Sequence, residues 1–352
     1  MPLKWKSISS LTLILLLMCS VAATPGYSNS SQNKDKGEKP KKQKEEKSEK
    51  QKGEKKKDSG AKEGRPVLWE DPTDIESRDL ANGPGGAEGA PDPNGKFTFI
   101  ERSKGGTSEK IHVDDDKGRK WTVKFGPESR PETSASRIVW AAGYHVDQDY
   151  FVKRTHIEGR GGFDVWDVRF ERRDDGFKEE DLLWPWEANP FNGTRELDGL
   201  KVLMALLNNW DLKTVNNKVA RPNKKSGGDR DERIYYVADL GGTLGATGSP
   251  FSKLPFFGNA PAGSKGDPNG FSDQPFIDGV KDGKVIFHYK GKDPKALQGV
   301  TVENARWMGN LLGRLSDRQL SDAFRSGGFA DSEVLVYVRA VRDRINQLKN
   351  LK

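Results

Sequence analysis

Cysteine is almost missing from this chain: Cys19 is the single one in 352 residues. It lies in a leader-like segment. Once that segment is removed, no disulfide, no thiol nucleophile and no thiolate metal ligand remain. Packing alone must then carry the core. Histidine is scarce as well, and the four present (His112, His145, His156 and His288) show no metal-ligand spacing. Neither His-Glu-x-x-His nor Gly-x-Ser-x-Gly occurs, which leaves out helix-borne zinc peptidase sites and nucleophile-elbow hydrolases. Long apolar runs are missing too, since the stretch over residues 11–18 is too short to span a bilayer.

That stretch fits a secretory leader instead. Lys4 and Lys6 give the positive start, residues 11–18 the apolar core, and Val21-Ala22-Ala23 a small-residue cleavage site. Residues 1–23 are therefore expected to be a signal peptide, and the protein to be exported to a periplasm, a cell surface or the medium. Leu16-Leu17-Met18-Cys19 is similar to a bacterial lipoprotein signal apart from Met18, so a lipid anchor at Cys19 is the alternative. Residues 24–66 are rich in Lys and Glu and almost without apolar side chains. Such a composition cannot bury enough surface to offset chain entropy, and a disordered tether is expected. Residues 31–66 hold 14 Lys and Arg against 8 Asp and Glu, a surplus of six, and Lys4 and Lys6 add two; of the formal +7, residues 67–352 therefore carry −1. The basic character belongs to the tail and not to the folded part, which takes away the main support for a nucleic-acid partner. The tether is either a solvated spacer or a contact for an anionic envelope surface such as cell wall or lipid headgroups.

Residues 67–95, rich in Gly, Pro and Asp, read as an irregular lead-in. From Lys96 the pattern turns to strands: residues 97–101, 110–113 and 120–125, with turns at Gly105-Gly106-Thr107-Ser108 and Asp114-Asp115-Asp116-Lys117-Gly118. After Pro131 the spacing becomes helical, with Ala135, Ile138, Val139 and Ala142 on one face and Gly143 as the stop. Residues 150–156 and 163–172 are strand-like again. The second half is helical. Residues 194–209 form an amphipathic helix through Leu197, Leu200, Val202, Leu203, Leu206 and Leu207. Residues 302–315, 316–326 and 331–348 form three more, with Ser316 and Asp331 as expected caps. The expected fold class is α+β with two lobes, a strand-rich N-lobe over residues 96–190 and a helical C-lobe over 191–352.

The chemistry-bearing letters sit where the helical half begins. Asp211-Leu212-Lys213-Thr214-Val215-Asn216 is followed by Val237-Ala238-Asp239-Leu240-Gly241-Gly242, the second Asp 28 residues after the first. Two Asp and one Asn on consecutive loops suit Mg²⁺ with a triphosphate, because Mg²⁺ takes a few hard oxygen ligands and leaves its other positions to phosphate and water. The pattern D-L-K-x-x-N followed by a strand and Asp-x-Gly resembles the protein-kinase-like superfamily, in its atypical branches: HipA-type, phosphoinositide and secreted kinases. The resemblance spans residues 97–348 but is carried by a few short motifs. It implies a two-lobed kinase-like fold, ATP and Mg²⁺ as cofactors, and transfer of the γ-phosphoryl group to a hydroxyl of a protein, glycan or lipid.

By the same resemblance Asp211 is the general base or orienter of the acceptor hydroxyl, Lys213 neutralises charge on the γ-phosphoryl group, and Asn216 and Asp239 hold Mg²⁺, with Asn217 competing for the Asn216 role. Lys124, in Trp-Thr-Val-Lys, is similar to the strand lysine that pairs with the α- and β-phosphates; otherwise it is a solvated strand-end charge. Glu132 would hold it by an ion pair, or is simply an acid placed favourably in a helix's first turn. Gly105, Gly106, Thr107 and Ser108 lie where a phosphate-covering loop belongs, and an ordinary hairpin turn accounts for them equally well. The chain departs from the pattern at Asn209-Trp210, which replaces the usual His-Arg, at Leu240, and in a polar insert over residues 222–232. Trp184, Trp186 and Phe191 either line a pocket or are buried structural aromatics. Asn192-Gly193-Thr194 is either a glycosylation acceptor or a helix start with Thr194 as cap. Other functions the sequence leaves open are a non-catalytic pseudokinase and an envelope-associated binding protein.

Overall fold

Alternation of apolar and polar side chains builds the first half. A computed structural model describes residues 64–103, 108–223, 231–248 and 262–352. The leader, the Cys19 anchor and the tether up to residue 63 lie outside the described residues. The elements run β1 (Arg65–Val67), α1 (Gly86–Gly89), β2 (Phe97–Arg102), β3 (Lys110–Asp115), β4 (Lys120–Lys124), α2 (Ser129–Ala141), β5 (Asp149–Glu158) and β6 (Phe163–Arg172). Strands β2-β3-β4-β6-β5 close into a barrel, with β2 parallel to β5 and the other neighbours antiparallel. Closure rests on a short parallel pairing, Phe97 with Ile157 and Thr98 with Glu158. Phe97, Ile111, Val113, Trp121, Val123 and Phe170 fill its interior, each worth about 1.5–3 kcal/mol when taken from water. At the β3–β4 turn Asp115 accepts hydrogen bonds from Arg119 and from the Trp121 indole (3.0 Å), which ties the hairpin to its own core.

Helix α2 crosses from the barrel to the helical half, and almost every side chain on it is buried. Gly143 ends it with φ +94°, a conformation open to glycine at little cost. The Trp69 indole then donates to the Ala142 carbonyl at 2.7 Å. Trp69 belongs to the segment read from sequence as an irregular lead-in, and the structure ties that segment down. Arg65 and Pro66, expected in the tether, form strand β1 with Val67, parallel to residues 232–234. Leu68, Ile75 and Leu80 are buried in the main core. A strand of three residues and apolar side chains isolated among Gly, Pro and Asp have no periodicity to be read.

The remainder comprises β7 (Phe177–Leu183), α3 (Arg195–Leu206), β8 (Asn217–Pro222), β9 (Glu232–Val237), α4 (Pro268–Asp273), β10 (Ile277–Lys281), β11 (Lys284–Phe287), α5 (Val302–Leu312), α6 (Asp317–Ser326) and α7 (Asp331–Lys349). A sheet ordered β1-β9-β8-β7 lines the start of this half. Helix α3 packs on α5, while α5 and α6 pack on α7. The architecture is thus α+β and two-lobed, a strand-rich N-lobe followed by a helical C-lobe. Thr194 caps α3 by accepting from Leu197 N, so its helix-start reading fits the structure. Ser316 caps α6 within a capping box. Asp331 does not cap α7: Ala330 holds that position, and the Glu333 carboxylate accepts from its backbone N–H at 2.7 Å.

Arg344 of α7 is buried beneath α3. It donates to the carbonyls of Leu206 (2.6 Å) and Phe271 (2.7 Å) and to Asn208 Oδ1, with its guanidinium 3.9 Å over the Phe271 ring. It thereby satisfies the end of the helix that leads to Asp211.

His145 introduces a pH dependence. Its ring lies edge-on to Phe177 (4.4 Å) and Tyr236 (5.0 Å), and burial pulls its pKa down to about 4 from 6.5. Between those values the unfolded chain binds the proton and the folded one does not. The contribution is therefore complete above pH 6.5 and is lost as pH falls toward 4. Urea titrations at pH 7.5 and pH 5 should show His145→Phe escaping a loss of at most about 2 kcal/mol that the parent suffers. An identical pH response in both proteins would refute this account.

Candidate nucleotide and phosphoryl-transfer site

Strand β4 delivers Lys124 at the moment α2 begins. Glu128 and Glu132 are four residues apart, so they share one face of the first helical turn and both reach the same ammonium. Lys124 Nζ is 2.7 Å from Glu128 Oε2 and 2.8 Å from Glu132 Oε2. Burial would lower the Lys124 pKa, but the carboxylates of Glu132, Asp239 and Glu128 outweigh it and hold the ammonium above its ordinary range. Burial pushes Glu132 up, opposed by Arg169 and Lys124. Lys124 and Glu132 are within ion-pair distance, and Arg169 adds a second cation 3.3 Å from Glu132. Burial also disfavours ionised Glu128, yet Lys124 and Lys265 hold its carboxyl down to about 2.

The Asp211 loop starts where Asn208 turns the chain out of α3 at φ +53°. Asn209 then links two loops: its Oδ1 accepts from Asp211 N (3.1 Å) and its Nδ2 donates to the Asp239 carbonyl (3.3 Å). Asp211 is flanked by Lys213 at 3.1 Å and Lys292 at 3.5 Å. Its Oδ1 accepts no hydrogen bond among the described residues. Asn216 Nδ2 donates to the Asp211 carbonyl at 2.7 Å, which fixes the loop. Asn217 is fully buried and donates instead to the Trp184 carbonyl. Trp184 and Trp186 are likewise buried, and the Trp186 indole donates to Leu212 O at 3.0 Å. These aromatics brace the loop from behind and do not line an open pocket.

Asp239 follows β9. Its Oδ1 accepts from Gly241 N at 3.1 Å, and its carboxylate lies with those of Glu128 and Glu132 in a group whose oxygens are within 4.8 Å of one another. A side chain at Gly242 would place its Cβ 3.3 Å from Asp211 Cβ, so the turn after Asp239 runs close beside the Asp211 loop. The structure thus gathers Lys124, Glu132 and Asp239 at one place, with the Asp211 loop clipped to it by Asn209. Gly105, Gly106 and Thr107 lie outside the described residues. Ser108 turns inward and donates to Glu128 Oε2 at 3.0 Å. Asp239 and the Asn216 amide oxygen are hard donors suited to Mg²⁺, and the chemistry of this set fits that ion.

Sequence reasoning missed Glu128, Arg169, Lys265 and Lys292. Glu128 had a signal, since it stands one helical turn before Glu132. The other three are brought in by non-local strand and loop packing. Lys265 and Lys292 lie 5.3 and 5.5 Å from the Trp210 ring, one of the positions at which the chain departs from the kinase pattern.

No family model matches the chain, and no curated protein does either. Among solved structures, the chain is similar to a Helicobacter pylori proinflammatory kinase, CtkA, with a TM-score of 0.38 and 14% identity over 73% of this chain and 94% of that one. At that distance no residue role is carried across.

Proposed function

We propose that this protein is an ATP-dependent phosphotransferase that moves the γ-phosphoryl group to a hydroxyl of a protein, glycan or lipid acceptor. The observation that carries the reading is the buried Lys124–Glu132 ion pair beside Asp239. Asn209 ties that place to the Asp211 loop. A buried lysine oriented by a carboxylate is a fixed cation for phosphate oxygens, and its position costs no reorganisation during transfer. Lys124 would hold the α- and β-phosphates. Asp211 would take the acceptor's proton. Lys213 and Lys292 would neutralise charge between base and phosphoryl group. Mg²⁺, held by Asp239 and Asn216, would supply charge neutralisation on the β- and γ-phosphates. The leader of residues 1–23 is what supports export.

A thermal-unfolding scan with ATP, with and without Mg²⁺, tests the site. Ligand at a hundredfold excess over its Kd stabilises by about 2.7 kcal/mol. For a domain of this size that shifts Tm by roughly 5–10 °C. Asp239→Asn should abolish the Mg²⁺-dependent part. If millimolar ATP leaves Tm where it was, the reading is wrong.

A further inference from the structure

Glu128 has no part in the transfer just described, yet its carboxylate draws three donors from three parts of the chain. They are the Lys124 ammonium of β4, the Ser108 hydroxyl before β3, and the Lys265 ammonium of the segment after Asp239. Without that carboxylate the set consists of donors converging on one point, which is how a phosphate is cradled. We propose that Glu128 stands in for a nucleotide phosphate, and that nucleotide phosphates must displace it from Lys124 and Lys265 in order to bind. The proposal rests on the nucleotide reading of the site.

The two acids on Lys124 differ in a way that suits these roles. The Glu132 side chain is 3% exposed and is also held by Arg169, so Lys124 keeps an orienting partner whatever else happens. The Glu128 side chain is 13% exposed and stands just ahead of α2, where it makes no capping bond to the helix. It lies over the turn that follows Asp239, for a Cβ at Gly241 would fall 2.8 Å from Glu128 Cβ. Rotation about its side-chain bonds frees both ammonium groups with the backbone in place.

Such a residue penalises each ligand by what must be displaced. A ligand with phosphates replaces the carboxylate on both lysines. Adenosine has no phosphate, makes no claim on them, and binds with Glu128 where it is. Glu128 therefore lowers affinity for phosphorylated nucleotides and leaves affinity for the nucleoside alone.

Calorimetric titration of the full chain with ADP and with adenosine, in EDTA, provides the test. Glu128→Gln should tighten ADP binding about tenfold, equivalent to about 1.4 kcal/mol, with adenosine unchanged within about twofold. Lys265→Met is the second variant, needed where Glu128→Gln does not fold. It should weaken ADP several-fold and again spare adenosine. ADP affinity that is unchanged or weaker in Glu128→Gln, or unchanged in Lys265→Met, overturns the proposal while the parent's own binding upholds the nucleotide site. A gain for adenosine equal to that for ADP also overturns it, since the effect would then be general. No binding of ADP or adenosine by any of the three proteins overturns both readings together.

Discussion

Asp211→Asn is expected to remove ATP turnover while nucleotide binding survives. The carboxylate lies between Lys213 and Lys292, outside the group formed by Glu128, Glu132 and Asp239. An amide keeps the shape and cannot accept a proton, and a positioned general base typically contributes about 10²–10⁴ in rate. Charge is lost as well, so Lys213 and Lys292 would turn toward the phosphoryl oxygens and hold the nucleotide at least as well. ADP release from ATP, with water as acceptor, is the readout. Unchanged ADP release in Asp211→Asn would remove Asp211 from the chemistry. A parent protein that binds Mg²⁺–ATP and releases no ADP would mark a pseudokinase.

Much of the frame was legible because it follows local rules. Lys124 and Glu132 were named through the resemblance, one at a strand end and the other in the first turn of the next helix, and the structure holds them 2.8 Å apart. The strands β2 to β6 were visible through alternation, but barrel closure was not, because the β2–β5 pairing joins segments about 60 residues apart. Strand β7 was hidden by its composition, Phe-Lys-Glu-Glu-Asp-Leu-Leu, whose side chains are almost all outside the core. The β10–β11 hairpin had a signal that went unread: Asp282-Gly283 takes φ of +52° and +69°, the two-residue turn that Asp-Gly favours. Asn209 is the instructive case. In the sequence it is a departure from the kinase-like pattern, and in three dimensions its short amide is the clip between the Asp211 and Asp239 loops. A side chain that bridges two loops is legible only after both loops have been placed.

The largest stability effect is expected behind the site, in a chain of buried charges. Asp149 is 1% exposed and accepts from Arg137 (3.0 Å), Arg169 (3.2 Å) and the Ser136 hydroxyl (2.8 Å). Arg169 continues the chain to Glu132, and Glu132 to Lys124. Both guanidiniums are already short of partners, for Arg137 Nε and Arg169 Nε make no hydrogen bond among the described residues. Asp149→Ala would leave Arg137 a buried cation without an ion-pair partner among the described residues and take one of three from Arg169, and breaking such a pair typically costs about 3–5 kcal/mol. Against a total of about 5–15 kcal/mol for a domain, that is a large share. Lys153→Ala, which removes the exposed Lys153–Asp167 pair, should cost under about 1 kcal/mol. Urea unfolding of both variants checks the contrast, and equal losses would show that burial does not set the cost. Asp149→Leu combined with Arg137→Met should recover part of the loss, because a buried pair replaced by apolar groups no longer leaves a bare charge. Nucleotide affinity should still fall in that double variant. With Asp149 gone, the ion pairs left to Arg169 among the described residues are those with Glu132 and Glu171, and it would draw Glu132 away from Lys124.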